Sequence, residues 1–299
     1  MEKVFYIEEY SKNIPLFLTK NETGFIHSVF NNGINVKLGE RLLFIGTVKN
    51  GRLPFGAHLS KELFEQFQIG IDTDAIVHWN NQEQSLTFNH GNIILSFEKA
   101  VTFDNQIHVY SEMDEICQNI ETVLISLLDH DTVTGLDIPI EQFVLDYLQE
   151  KTTSDAIEEI LFSQLTKLTD ALLIEDKEAY TKALRFMLGR GKGLTPSGDD
   201  HIVGLLAVQV VGRPFHSTFN EVVLSLVKNE SITTDVAKEY LYYAANGQFS
   251  STVVDVMEHL VDKTDALPNK LENLLAVGHC SGVDTIFGVL LGLLAWRRK

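Results

Sequence analysis

The spacing of apolar residues changes once along this 299-residue chain, and that change constrains the fold more than any single motif. Before about residue 105, short runs rich in β-branched and aromatic residues alternate with Asn, Gly and Asp: GFIHSVF, GINVKL, RLLFIG, AIVHW, SLTF and NIILSF. Such runs suit a pleated, half-buried surface and predict strands. NNG at Asn31 to Gly33 and NHG at Asn89 to Gly91 predict tight turns, because Asn and Gly accept positive φ most readily. From about Glu112 the period becomes helical, with Ile116, Ile120, Val123, Leu124 and Leu127 on one face. SDAIEEILFSQLTKLTDALL, EAYTKALRFMLG, FNEVVLSLV, TTDVAKEYLYYAA and LENLLAVG continue that pattern between Gly, Pro or Asp-rich joints. TVTGLDIP around Gly135 is the most loop-like connection among them. The expected fold is α+β: a β-rich domain over residues 1–108, then a larger, mainly helical domain over residues 109–299.

Composition narrows the function. With 44% hydrophobic residues the chain can bury a sizeable core, so a soluble globular protein is expected. Lys and Arg number 24 against 41 Asp and Glu, a net charge of -17 that argues against a broad nucleic-acid or anionic-membrane surface. An anionic ligand must then be held locally. The longest apolar run, IFGVLLGLLAW from Ile286 to Trp296, is shorter than the roughly 20 residues that span a bilayer and reads as a buried helix. Cys117 and Cys280 lie far apart in a chain with no secretory leader, which predicts free thiols and a cytoplasmic location.

The chemistry concentrates in GLTPSGDDHIVG, Gly193 to Gly204. A helix stopping at Gly189, a glycine-rich loop and a second helix beginning near Asp199 are predicted, since Ser197, Asp199 and Asp200 all favour helix N-termini. A second copy raises this above mere capping. SGDDHIVGLL from Ser197 aligns without gaps to SGVDTIFGVL from Ser281, with Ser, Gly, Asp and Gly coinciding at a constant offset of 84 residues. A chance repeat of that pattern is on the order of 1% at ordinary composition. Two helices entered through equivalent turns, each with a glycine that permits close packing, can point their N-termini at one site. Such ends suit carboxylate or phosphate oxygens, yet the aspartates compete for the same N–H groups. A ligand that joins an oxyanion to an amide NH2 reconciles the two, as does a magnesium ion between carboxylates and phosphate.

Familiar alternatives do not fit. GRGKG lacks the Lys-Ser/Thr ending of a phosphate-binding Walker loop and follows a helix where a strand is required. GHCSG, Gly278 to Gly282, is not a nucleophile elbow. No His, Cys and Asp spacing matches a zinc site. Cys280 beside His279 admits a thiol nucleophile, but a small residue among glycines is the plainer reading.

GKGLTPSGDDHIVG resembles the Gly-x-Gly-Leu-Thr-Pro-Ser-Gly-Asp-Asp signature of a bacterial family that includes the AllH-type subunit of oxamate carbamoyltransferase. GHCSGVDTIFG and HSVFNNGINV resemble two further blocks of that family, so the resemblance runs from about residue 24 to 298. In ITTDVAKEYLYYAANGQFS the Thr-rich start and the Ala-x-Gly end are kept, while Ala237 stands where the family carries a serine. The resemblance implies a subunit of an enzyme that converts oxalurate and phosphate to oxamate and carbamoyl phosphate, or the reverse, in allantoin-derived ureide degradation. It also implies partner subunits, without which the chain is inactive. In that setting Asp200, Asp284 and Lys192 are the expected catalytic residues. Arg190, Gly193, Thr195, Ser197, Gly198, Asp199, His279, Ser281, Gly282 and Asn31 are the expected substrate-binding ones. Asp200 and Asp284 orient NH2 groups or a metal, Lys192 and Arg190 neutralise developing charge, and loop N–H groups hold the oxyanion.

Plainer readings stand beside each of these. Ser197, Asp199 and Asp200 suit capping of a core helix, Lys192 and Arg190 suit a solvated loop, and Thr195 and Pro196 suit loop shaping. His201 suits a packed histidine, and Thr233 and Thr234 suit caps of the helix ending near Ala245. RLPFGAHL, Arg52 to Leu59, suits a β-turn. Three function classes follow: a carbamoyltransferase subunit, a regulatory subunit binding a small carboxylate or phosphate, and a structural assembly protein, with a homo-oligomer compatible with each.

Overall fold

The computed structural model describes residues 2–20, 22–129, 133–149, 156–262 and 265–299. The side chain of Cys117 and the start of the segment SDAIEE, residues 154 and 155, lie outside the described residues. The chain forms two compact units, residues 1–105 and 106–299, the first built mainly of strands and the second of helices.

In the first unit β1 (Lys3–Tyr6) and β2 (Glu9–Ser11) lead into a short helix α1 (Ile14–Leu18). The meander β3 (Thr23–Phe30), β4 (Gly33–Leu38) and β5 (Arg41–Gly46) follows, then β6 (Gly56–His58), helix α2 (Lys61–Ile69), β7 (Ile76–Asn80), β8 (Ser85–Phe88), β9 (Ile93–Ser96) and β10 (Val101–Phe103). The sheet order is β1-β9-β8-β7-β3-β4-β5-β6-β2-β10, antiparallel except where β1 joins β9, β5 joins β6 and β2 joins β10. Because β1 and β2 are almost consecutive yet pair with opposite ends of the series, the sheet curls back on itself. Ile7 N donates to Ser96 O and Glu8 N to His58 O at the seam. Alternate side chains such as Ile34, Val36, Leu43, Val77, Leu86 and Leu95 fill the inside with Phe64 and Phe67 of α2. All six runs read as strands form strands, and β1, β2, β6, β10, α1 and α2 are elements the apolar runs did not mark, β6 lying in the segment read as a β-turn.

The two predicted turns differ. At Asn31–Asn32 the hairpin pairs Phe30 with Gly33 with no residue at positive φ, whereas Asn89, His90 and Gly91 all adopt it, at 50°, 56° and 90°. Arg52 is tied within this unit to Glu9, Nε to Oε1 at 2.7 Å.

The second unit contains α3 (Met113–Leu128), α4 (Ile140–Gln149), α5 (Ala156–Leu173), α6 (Lys177–Met187), α7 (Ser197–Gly212), α8 (Phe219–Asn229), α9 (Asp235–Ala245), α10 (Ser251–Asp262), α11 (Leu267–Leu275) and α12 (Ser281–Arg297). Helices α4 and α10 were not among the segments singled out by spacing. The predicted face of α3 is real: Ile116, Ile120, Val123 and Leu127 are buried. Helices α7 and α12 are apolar on every side and buried along nearly their whole length, which is what such a sequence requires in a helical core. No described helix is long and apolar enough to cross a membrane.

Candidate functional site

The two sequence copies are two structural copies. Helix α6, a loop and α7 form one hairpin; α11, a loop and α12 form the other. Each glycine after the motif serine lies against a carbonyl of the preceding helix: a Cβ at Gly198 would come within 2.0 Å of Met187 O, and one at Gly282 within 1.9 Å of Leu274 O. Nearly two turns further in, α7 and α12 cross through their second glycines. A Cβ at Gly204 would meet Thr285 O at 2.3 Å and one at Gly288 would meet His201 O at 2.2 Å. This close crossing brings the N-termini of the two helices together.

Hydroxyl and thiol groups meet across that junction. Thr195 Oγ1 and Ser281 Oγ are 3.0 Å apart, and Ser197 Oγ lies 3.9 Å from Cys280 Sγ. Below them sit the two equivalent aspartates. Asp284 is fully buried, its Oδ1 accepting from Gly135 N at 2.9 Å and standing 3.7 Å from His201 Nε2. Asp200 is 7% exposed. Asp200 Oδ2, Asp284 Oδ2 and both ring nitrogens of His201 are buried without a hydrogen-bond partner, an arrangement that costs roughly 1–3 kcal/mol per group in an ordinary core. Burial raises the Asp200 carboxyl well above the usual range; Ser281 opposes the rise and the charges of Asp284 and Asp199 add to it. Burial lowers the His201 imidazole, against the pull of Asp284 and the Ser197 carbonyl. The Cys280 thiol is pushed up by burial and by Asp284, so the form present is the thiol and not the nucleophilic thiolate. Tyr240 on α9 adds a phenol raised by burial and by the charge of Asp200.

Other expected site residues are already engaged. Both oxygens of Asp199 are satisfied by the protein, Oδ1 by Gly189 N at 3.0 Å and Oδ2 by the Thr233 hydroxyl at 2.6 Å. Its carboxyl is pushed up to about 6 by burial, against these two bonds. Asp199 therefore clamps the loop to α9. Thr234 caps α9 through Ala237 N at 3.1 Å and donates to Leu194 O. Helix α7 begins at Ser197, two residues before the expected start, and Pro196 makes no side-chain cap. Gly198 N donates to Arg190 O at 2.8 Å and Gly282 N to Val277 O at 3.1 Å, so neither amide is available to a ligand. The N–H groups of Ser197 and Ser281 find no acceptor among the described residues. Arg190 turns away, its Nε on Phe186 O at 2.9 Å and its guanidinium 3.8 Å from the Phe186 ring centre. Lys192 and Gly193 lie exposed in the loop, and His279 is exposed before α12. Asn31 belongs to the first unit, exposed in the β3–β4 turn.

Spacing alone missed three participants: Gly135, whose N–H holds Asp284, His201, weighed there as a packing residue, and Tyr240. The signal for Gly135 was present as an irregular loop inside a helical unit. An added Cβ there would sit 2.1 Å from Ser197 Oγ and 2.7 Å from Cys280 Sγ, so a larger residue would displace these two side chains. Among the described residues no three His, Cys, Asp or Glu side chains are placed to hold a metal ion.

The fold and site thus define a protein in which two paired helix starts meet over buried carboxyl groups, in a helical unit that follows a β-rich one in sequence. Residues 187–293 match the family model described as oxamate carbamoyltransferase subunit AllH, and residues 8–102 match the AllH family N-terminal domain. The chain belongs to the AllH family. No solved structure matches it.

Proposed function

We propose that this chain is a subunit of a cytoplasmic complex that converts oxalurate and phosphate into oxamate and carbamoyl phosphate, or runs the reverse, in ureide degradation. The observation that carries this reading is the meeting of two serine-bearing helix starts over two buried carboxyl groups with unbonded oxygens. Oxamate and carbamoyl phosphate each join an oxyanion to an amide NH2. The oxyanion suits the Thr195, Ser197 and Ser281 hydroxyls and the Ser197 and Ser281 N–H groups at the positive helix ends. The NH2 suits the Asp200 carboxyl, whose unbonded Oδ2 can accept from an amide nitrogen that only donates.

Lys192 on the exposed loop supplies positive charge to a phosphate. With Arg190 stacked on Phe186, the loop brings little more. A phosphate in a chain of net charge -17 needs further cations, and partner subunits supply them in this reading. Tagged chain purified with its partners is the material for the test. Carbamoyl phosphate should form from oxalurate only when phosphate is present, and Asp200→Ala should abolish it in a folded, fully assembled complex. An intact wild-type complex with no such turnover sinks the proposal.

A further inference from the structure

The two aspartates are equivalent in sequence and unequal in surroundings. Asp284 has a backbone donor, Gly135 N, and an imidazole 3.7 Å away, and no part of it reaches the surface. Asp200 has neither. The charged or titratable groups that bear on it are Asp199 and Asp284, both of its own sign, with the phenol of Tyr240 and the thiol of Cys280 on the neighbouring elements. Ser281 offers it one hydroxyl. No described cation faces it, and its Oδ2 is without a partner. A carboxyl so placed keeps its proton, because a single hydroxyl does not offset the burial of the anion beside two like charges.

Resting on the carbamoyl-transfer reading, we propose that the pair has divided its work: Asp200 is the catalytic acid at the departing nitrogen, and Asp284 is a positioning residue clamped by Gly135 and His201 that touches no ligand. In the step, an oxygen of hydrogen phosphate bonds to the carbamoyl carbon and the bond from that carbon to the inner nitrogen breaks. The nitrogen takes the Asp200 proton and leaves as the NH2 of oxamate. The proton of the hydrogen phosphate returns to Asp200, so the group ends as it began. Asp284 acts through its charge, which keeps the proton on Asp200, and through its hold on the Gly135 loop.

The assembled complex serves for two measurements. The first is the pH dependence of oxalurate phosphorolysis. Asp200→Asn should lower kcat by roughly 100-fold or more with KM little changed, and remove the alkaline limb of the profile. Asp284→Asn should keep kcat within about 10-fold and keep the alkaline limb, moved to lower pH because the like charge that retains the proton is gone. The second is the infrared C=O band of a protonated carboxyl at about pH 8, above Asp199 at about 6. The band should be present in wild type and absent from Asp200→Asn. The proposal is overturned if the band or the alkaline limb survives in Asp200→Asn, or if Asp284→Asn loses kcat as heavily as Asp200→Asn. A wild-type complex that makes no carbamoyl phosphate brings down the transfer reading and with it the catalytic step; the band then still reports whether Asp200 holds a proton.

Discussion

The α6–α7 and α11–α12 hairpins share a backbone plan and differ in what they carry. Both end with a glycine against the previous helix and a second glycine at the crossing. Their loops differ in length, residues 188–196 against residues 276–280. Their side chains differ more: Asp199 faces Val283 in the alignment, His201 faces Thr285, and Thr195 faces His279. The shared glycines are where backbone meets backbone. The shared Ser and Asp put a hydroxyl and a carboxyl in each copy, and the divergent positions, such as His201 beside Asp284, set what surrounds them.

The most severe way to break this comparison is at the crossing. Gly204→Val and Gly288→Val should each cost about 3 kcal/mol or more in a denaturant titration, because the added carbons meet main chain that cannot move aside. Tolerance at one position and collapse at the other would show that the two copies do not share a packing role.

Asp199 sharpens the comparison next. Its folded-state pKa, about 6, lies above the ordinary 3.8, so it favours the fold fully below about pH 4 and that contribution fades as pH rises through about 6. Measured against Asp199→Asn, wild type should lose about 2–3 kcal/mol between pH 4 and pH 7. Parallel stability curves would remove the buried clamp from the account. A smaller effect belongs to the cap of α9: Thr234→Ala should cost about 1 kcal/mol by thermal unfolding. The smallest belongs to the exposed loop. Lys192→Ala should change stability by less than about 0.5 kcal/mol, yet weaken phosphate binding by the complex, measured by calorimetry.

Much of this was legible from period and repeat. Alternation found β3, β4, β5, β7, β8 and β9, and the helical spacing found the buried face of α3. The offset of 84 residues correctly paired Ser197 with Ser281 and Asp200 with Asp284. What it could not give was contact between distant segments with no shared pattern. Gly135 reaches Asp284 across 149 residues, and Thr233 reaches Asp199 across 34. Nor does residue type say which group is already satisfied: Asp199 and Asp200 are neighbours, and one has two protein donors while the other keeps a buried oxygen unbonded.

The central claim is that the junction of α7 and α12 is where the ligand binds. A crystal structure of the assembled complex grown with oxamate and phosphate tests it directly. The account predicts ligand density against Thr195, Ser197, Ser281 and Asp200, with an amide nitrogen or oxygen within hydrogen-bonding distance of Asp200 Oδ2. Ordered ligand held elsewhere, with these side chains unchanged and the junction closed, contradicts it.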